Sequence, residues 1–536
     1  MTLIERVLYN GHILTLDPQH PHVSALAIIA GRIVAVGSDS EMLALVGPGT
    51  KRDDLGGQTV VPGLTDAHIH WALTSQKLQW ADVFEVPSKA IALERVAERV
   101  RVTPPGEWIR GWGWSQDFWP EPIFPNAADL DAVAPQHPVM LSAKSGHAAW
   151  VNRLALRQCG ITAETPDPDG GHIQRAASGE PTGILFENAT DLVSRHIPDL
   201  TVEQLADRME AAQALALASG LTGIHDFDGP DCLRALQILR ERGKLGLRVL
   251  KNVNDYWIDG VLEGGLRHGF GDDWIRLGGQ KIFADGALGP RTAYMIEPYL
   301  GEPDNYGMSV IDKEDLQERV SRASAAGFPS TVHAIGDRAV HEVLDVYEAV
   351  RREEALRGET PAMRRHRIEH VQIIHPDDAH RLAQLGVIAS MQPIHATSDY
   401  QAADHYWGER SRWSYNIRLQ IDQGAHVALG TDSPVEPFEP LKSIYAAVTR
   451  RRPDGSPGPE GWYPDLRLTV DEALRGFTMG PAYAAGMENR LGQLAPGYLA
   501  DLVVLDRNLY TIPPDEILET QVLRTMVDGE WRFRAD

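Results

Sequence analysis

Cysteine is nearly missing from this chain: Cys159 and Cys232 are the only two in 536 residues. Two thiols cannot build a disulfide framework, and their spacing is not that of a metal site. Both read as small buried hydrophobes, which fits a reducing cytoplasm. Long apolar runs are missing too. Nothing approaches the roughly eighteen consecutive apolar residues of a membrane-spanning helix. The opening MTLIERVLYNGHILTLDP has no basic segment leading into an apolar core, so no secretory signal is expected. Positive charge is in deficit, with 51 Lys and Arg against 74 Asp and Glu, a formal net charge of −23. That balance argues against nucleic acid or an anionic membrane as partner and leaves a small molecule as the expected ligand.

What is present has the order of a barrel enzyme. Short alternating runs with turn residues between them (RVLYNGHILTLD, SALAIIAGRIVAVG) fill the first sixty residues, and LGQLAPGYLADLVVLD and VLRTMVDGEWRF close the chain. Neither end alone supplies enough strands for a stable sheet, so residues 1–60 and 485–536 are expected to form one small β-sandwich from both termini. Between them, residues 61–484 hold eight candidate strands: VVPGLTDAHIH, LTGIHDF, LGLRVLKNV, WIRLGGQKIFAD, PSTVHAI, HRIEHVQI, VIASMQP and HVALGTD. Amphipathic helical stretches such as DLQERVSRASAAG and AVHEVLDVYEAVRREEAL separate most of them. Eight such units predict an α/β fold, a (β/α)8 TIM barrel with its active site at the C-terminal ends of the strands. One interval is too long. About 150 residues lie between the first two strands, where a crossover needs only a dozen or so. This insert, residues 73–220, is rich in Trp and Gly and is expected to shape the substrate pocket as a lid.

Six residues sit at the C-terminal ends of these runs: His68 and His70 in VVPGLTDAHIHW, Lys281 in GGQKIFADGAL, His333 in STVHAIGDRA, His370 in RHRIEHVQ and Asp432 in ALGTDSP. His68 and His70 form His-x-His on a strand, so period-two geometry turns both side chains to one face, able to grip one cation. Lys281 ends a buried strand, where desolvation disfavours the ammonium and lowers its pKa. A neutral amine there can add carbon dioxide and become a carbamate; the competing reading is an ordinary salt bridge to Asp285.

The blocks GWGW, KIFADGALGPRTA, VHAIGDRAV, RIEHVQ, LGTDSPVEP and PLKSIYAAVTR make the sequence resemble the amidohydrolase superfamily over nearly its whole length. Within it the resemblance is to the amidohydrolase 3 branch of N-substituted formamide deformylase-like and YtcJ-like hydrolases. It implies two divalent metal ions bridged by carboxylated Lys281, with His68, His70 and Asp432 on the first and His333 and His370 on the second. Zinc suits such donors, and manganese, iron, cobalt or nickel could take the same set. It further implies hydrolysis of a non-peptide carbon–nitrogen bond by activated hydroxide, with Asp432 carrying the proton, and a homodimer is common among similar enzymes.

Other residues are expected in supporting positions. His147 in KSGHAAWVN is a candidate for hydrogen bonding substrate, and His225 and Asp226 for orienting ligands or lining the pocket floor. Arg291 is expected either to hold a substrate carboxylate or to pair with an acidic neighbour. Trp112 and Trp114 offer an aromatic wall or simple core, and Glu369 and Asp337 stand beside candidate ligands as supports. Three rival functions remain open. A single-metal deaminase of this superfamily typically carries a His-Glu pair after the fifth strand, which HAIGDRA lacks. An ester or lactone hydrolase could use the same core. A non-catalytic scaffold usually loses ligands, and here the set is intact.

Overall fold

Eight short apolar runs become one parallel sheet: β1 (Leu64–Ile69), β2 (Leu221–Asp226), β3 (Arg248–Asn254), β4 (Ile275–Phe283), β5 (Ser330–Ala334), β6 (Arg367–His370), β7 (Ile388–Met391) and β8 (Val427–Leu429). They pair in sequence order. In this computed structural model, which describes residues 4–84, 86–116, 119–144 and 147–535, the sheet closes on itself. The Asp432 N–H donates to the His68 carbonyl at 2.7 Å, and the His70 N–H to the Ser433 carbonyl at 2.8 Å. Every residue of β2, β6 and β7 is buried, as expected of a parallel sheet covered on both faces. The covering helices obey the 3.6-residue spacing. Lys313–Ala325 turns Leu316, Val320 and Ala323 inward, and Asp337–Leu356 turns in Val340, Val343, Leu344, Tyr347 and Val350. The fold is the expected TIM barrel.

The described residues form two compact units, residues 1–74 with 209–536, and residues 75–208. In the first, the chain ends build two sheets beside the barrel sequence. One is wholly N-terminal, with strands Arg6–Tyr9, Ala25–Ile29, Arg32–Gly37 and Lys51–Asp54. The other joins both ends, because Leu502–Leu505 pairs antiparallel with Thr59–Pro62, Val503 opposite Val61. Leu8, Leu26, Ile28, Val60, Leu502, Val504 and Met526 share the core between them.

The second unit has its own six-stranded mixed sheet, in the order Gly171–Arg175, Pro181–Glu187, Ala148–Val151, Val139–Ala143, Ile109–Trp114, Ala81–Asp82. Trp114, Trp119 and Trp150 pack edge to face or tilted at its core. Asp117 and Phe118 of GWGWSQDFWP, and Ser145 and Gly146 of KSGHAAWVN, lie outside the described residues. Among the described residues, no helix is long and apolar enough to cross a membrane.

Candidate metal centre

The closing seam of the barrel positions the first three candidates. Asp66, two residues before His68, is buried and accepts hydrogen bonds from the His68 N–H, the Thr431 N–H and the Thr431 hydroxyl, so it ties β1 to the loop after β8. Burial raises its carboxyl to about 7 against those hydrogen bonds. Gly430 is required there: a Cβ would stand 2.5 Å from the His68 nitrogen. The seam brings Asp432 Oδ1 to 3.5 Å from Nε2 of both His68 and His70. From the adjoining strands, the His370 ring lies 4.9 Å from His68 and 4.6 Å from His333, centroid to centroid. Lys281 Nζ lies 4.9 Å from the Phe227 ring and 4.6 Å from Phe283, with Phe227 stacked on His68 at 3.9 Å. All six expected residues therefore converge on one end of one barrel. His370 and Asp432 hold φ of +78° and +59°, a conformation that costs non-glycine residues about 1–3 kcal/mol and collects at functional sites.

Hydrogen bonds fix which nitrogen each imidazole presents. His68 Nδ1 meets Glu369 Oε2 at 2.6 Å, His70 Nδ1 meets Asp228 Oδ1 at 3.1 Å, and His370 Nδ1 meets Gln392 Oε1 at 2.9 Å. Each Nδ1–H donates to an oxygen and turns Nε2 toward the centre, the arrangement that supports metal-binding histidines. His333 is reversed: its Nε2 donates to the Gly286 carbonyl at 3.0 Å and leaves Nδ1 bare. The competing reading, a salt bridge between Lys281 and Asp285, is not formed. Asp285 instead accepts the N–H groups of Tyr294, Ile335 and Gly336 at 2.8–3.0 Å, and Lys281 has no salt bridge among the described residues.

Burial drives the imidazoles toward their neutral forms, His68 to about 4, His333 to about 3 and His370 well below the usual value. His70 goes the other way. Burial would lower it, but Asp228 and Asp432 on its two nitrogens raise it to about 10. Burial would raise Asp432, yet the surrounding imidazoles hold it well below the carboxylate range. Burial lowers Lys281 to about 8. Neutral imidazole lone pairs on His68, His333 and His370, an ionised carboxylate and an amine near neutrality fit divalent cations, and His70 joins them on losing the Nε2 proton that Asp432 stabilises. Asp226, Asp228 and Cys232 also converge, but the buried Lys251 ammonium already lies 2.8 Å from Asp226 Oδ2, so this cluster is an internal ion pair behind His70.

One residue at the centre was not anticipated. His395 is buried, with Nε2 3.8 Å from Asp432 Oδ2 and its ring 6.2 Å from His370. With His370 and Asp432 it forms a group able to hold a metal, alongside His68, His70 and Asp432. The supporting candidates sort differently. His225 is buried and its Nδ1 accepts from Arg367 at 3.0 Å, while Arg367 also pairs with Glu369 at 2.8 Å, so both lie beneath His68. Asp337 turns away and accepts the Ile296 N–H at 2.8 Å. Arg291 pairs with Glu302 at 2.7 Å and reaches the Tyr406 hydroxyl at 3.2 Å. In the second unit, His147 is exposed and meets Glu187 at 2.9 Å. Trp112 stacks on Phe84 at 4.8 Å, whereas Trp114 is core, its Nε1 donating to the Leu141 carbonyl at 2.8 Å.

Residues 53–533 match the amidohydrolase family. The chain belongs to that family. This amidohydrolase is 36% identical to the Arabidopsis thaliana protein LONG AFTER FAR-RED 3, over 97% of this chain and 90% of the relative. It is 31% identical to an N-substituted formamide deformylase from Arthrobacter pascens, over 98% of each. An uncharacterised metal-dependent hydrolase of solved structure from Pyrococcus furiosus is 30% identical and superposes with a TM-score of 0.77, over 94% of this chain and all of the other. The family is one of metal-dependent hydrolases, and this member is a hydrolase acting on carbon–nitrogen bonds.

Proposed function

We propose that this amidohydrolase uses two divalent metal ions, bridged by carboxylated Lys281, to hydrolyse a non-peptide carbon–nitrogen bond in a small amide or formamide. The observation that carries the proposal is a buried lysine with no salt bridge among the described residues, close enough to His68, His333 and His370 to act on all three imidazoles. With Lys281 lowered to about 8, part of the population is the free amine at neutral pH. That nitrogen attacks carbon dioxide; the N–C bond forms, one C=O electron pair moves to oxygen, and a proton passes from the nitrogen to solvent. The product is a carbamate whose single negative charge is shared by two oxygens, which would be available to the ions. His68, His70 and Asp432 would hold one ion, His333 and His370 the other, and zinc is the first choice for such donors. Bound, the ions supply Lewis acidity to the scissile carbonyl and lower the pKa of water.

The chain's own residues do the rest. Asp432, held ionised among the imidazoles, takes the proton of the attacking water and passes it to the leaving nitrogen. The buried Phe227 ring lies against Lys281 and keeps that side of it dry. Glu369, Asp228 and Gln392 hold His68, His70 and His370 in the tautomer that presents Nε2. A panel of N-substituted formamides, simple amides, esters and lactones tests the reading. Hydrolysis of an amide or formamide, abolished by a chelator and lowered about 10²–10⁴-fold in Asp432→Asn, is expected. Turnover of esters alone, or activity indifferent to chelator and to Asp432→Asn, would overturn it.

A further inference from the structure

His395 was brought to the centre by β7 and by helix Pro393–Trp407, which starts at once after that strand. It is 4% exposed, and its Nε2 has no hydrogen-bond partner among the described residues. A buried polar atom left in that state is costly unless something meets it. What it can meet depends on whether Nε2 carries a hydrogen.

The surrounding hydrogen bonds answer this. The Tyr415 hydroxyl lies 2.8 Å from Asp399 Oδ2. A carboxylate has no hydrogen to give, so the single hydroxyl hydrogen goes to Asp399. The Tyr415 oxygen can then only accept from its second neighbour, the carboxamide of Gln372 at 3.2 Å. The two ends of a carboxamide have the same shape, and bonding decides which is oxygen. The structure places Gln372 Oε1 toward Tyr415 and Nε2 toward His395 Nδ1, so this bonding requires the carboxamide turned by 180°, with its amino end on Tyr415 and its carbonyl end on His395 Nδ1 at 3.3 Å. His395 Nδ1 carries the hydrogen and donates it to Gln372. Its Nε2 is a bare lone pair, as in His370 above Gln392 and His68 above Glu369.

A lone pair aimed at an ionised carboxylate oxygen 3.8 Å away is repulsive unless a cation lies between them. The ligand atoms of His370, His395 and Asp432 lie within 4.8 Å of one another, close enough to share one. We propose that His395 is a seventh metal-contacting residue of this centre, held in its ligating tautomer by the relay Asp399–Tyr415–Gln372. The inference rests on the metal-centre reading above and adds to it a nitrogen donor from the seventh strand's end. Tyr415 and Gln372 are positioning residues that act through His395.

The test uses the full chain stripped of metal by chelator, with Co(II) alone as probe. Affinity is read by competition with a chromophoric chelator, and coordination by the visible absorption of the ion. Wild type, His395→Gln and Tyr415→Phe are compared, with circular dichroism as the check of folding. For His395→Gln, loss of about 100-fold or more in affinity at one site and a changed absorption band are expected as water replaces nitrogen. For Tyr415→Phe, which frees the Gln372 carboxamide, about tenfold is expected. Unchanged affinity and spectrum in a folded His395→Gln protein overturn the proposal while leaving the metal centre standing. If that variant does not fold, Tyr415→Phe decides: weakened binding supports the proposal, unchanged binding overturns it. Failure of the wild type to bind Co(II) at all removes the metal-centre reading itself, and this inference with it.

Discussion

Replacing Glu369 with glutamine would remove one negative charge from beneath the centre while keeping the shape of the side chain. Two partners depend on that charge. His68 Nδ1 lies 2.6 Å from Oε2, and Arg367 Nε lies 2.8 Å from Oε1, with all three side chains almost wholly buried. The other groups that Arg367 reaches are the Ala67 carbonyl, the Ser390 hydroxyl and His225, all neutral. The variant thus leaves a guanidinium out of water without a counter-charge, a change that costs about 3–5 kcal/mol when one member of a buried pair is removed. It also weakens the bond that fixes the His68 tautomer, for which about a 10–100-fold loss of metal affinity is expected, roughly 1.4–2.8 kcal/mol. Urea unfolding of the metal-free protein reads the first effect and competition binding of Zn(II) reads the second. A variant with a wild-type urea midpoint, or with affinity within about threefold of wild type, would refute the reasoning.

Other predictions concern the seam and the acid limit of stability. Gly430→Ala drives a methyl group against the His68 backbone, 2.5 Å from its nitrogen; a loss of about 1–3 kcal/mol is expected in urea unfolding, with metal binding weakened because His68 and Asp432 share that seam. Glu354 lies far from the centre in a buried cluster with His366 at 2.8 Å and Ser324 at 2.6 Å. Burial would raise its carboxyl, but the hydrogen bonds from His366 and Ser324 and the Arg351 charge prevail and hold it at about 2, below the ordinary 4.5. A depressed carboxyl contributes stability that is complete above its unfolded pKa and lost as pH falls through its folded one. The urea midpoint should therefore drop between about pH 4.5 and 2. Glu354→Gln should be less stable at neutral pH and flatter across that window; equal slopes in the two proteins would contradict the assignment.

The barrel and its six candidate ligands were legible because strand ends announce themselves. Each of the eight apolar runs stops at a polar or glycine-rich turn, and a barrel puts those stops on one face. His395 escaped the same reading because β7 ends at Met391 and the histidine lies four residues on, in the first turn of the next helix. There an imidazole has no period-two partner to mark it. Lys281 was read correctly as buried, but the competing reading offered Asp285 as its partner on proximity in sequence alone. Three backbone N–H groups, two of them about fifty residues away, claim that carboxylate instead. Trp114 shows the limit of composition. Tryptophan near glycine left a pocket wall open beside the commoner core reading, and its bond to the Leu141 carbonyl, set by a strand pairing invisible to periodicity, makes it core. The insert's six-stranded sheet was not foreseen for the same reason, since alternation reports which face is buried and not what lies across from it.

The central claim, two metals bridged by a modified lysine, is tested most directly by metal analysis and native mass on one preparation. Protein purified without chelator is measured beside Lys281→Ala, under native conditions because acid destroys a carbamate. The account predicts two metals per chain and the added mass of one carbon dioxide in the wild type, with the added mass gone and the metal content reduced to one or none in the variant. A single metal per chain, indifferent to Lys281 and without the added mass, would contradict it and bring single-metal deaminase chemistry to the front.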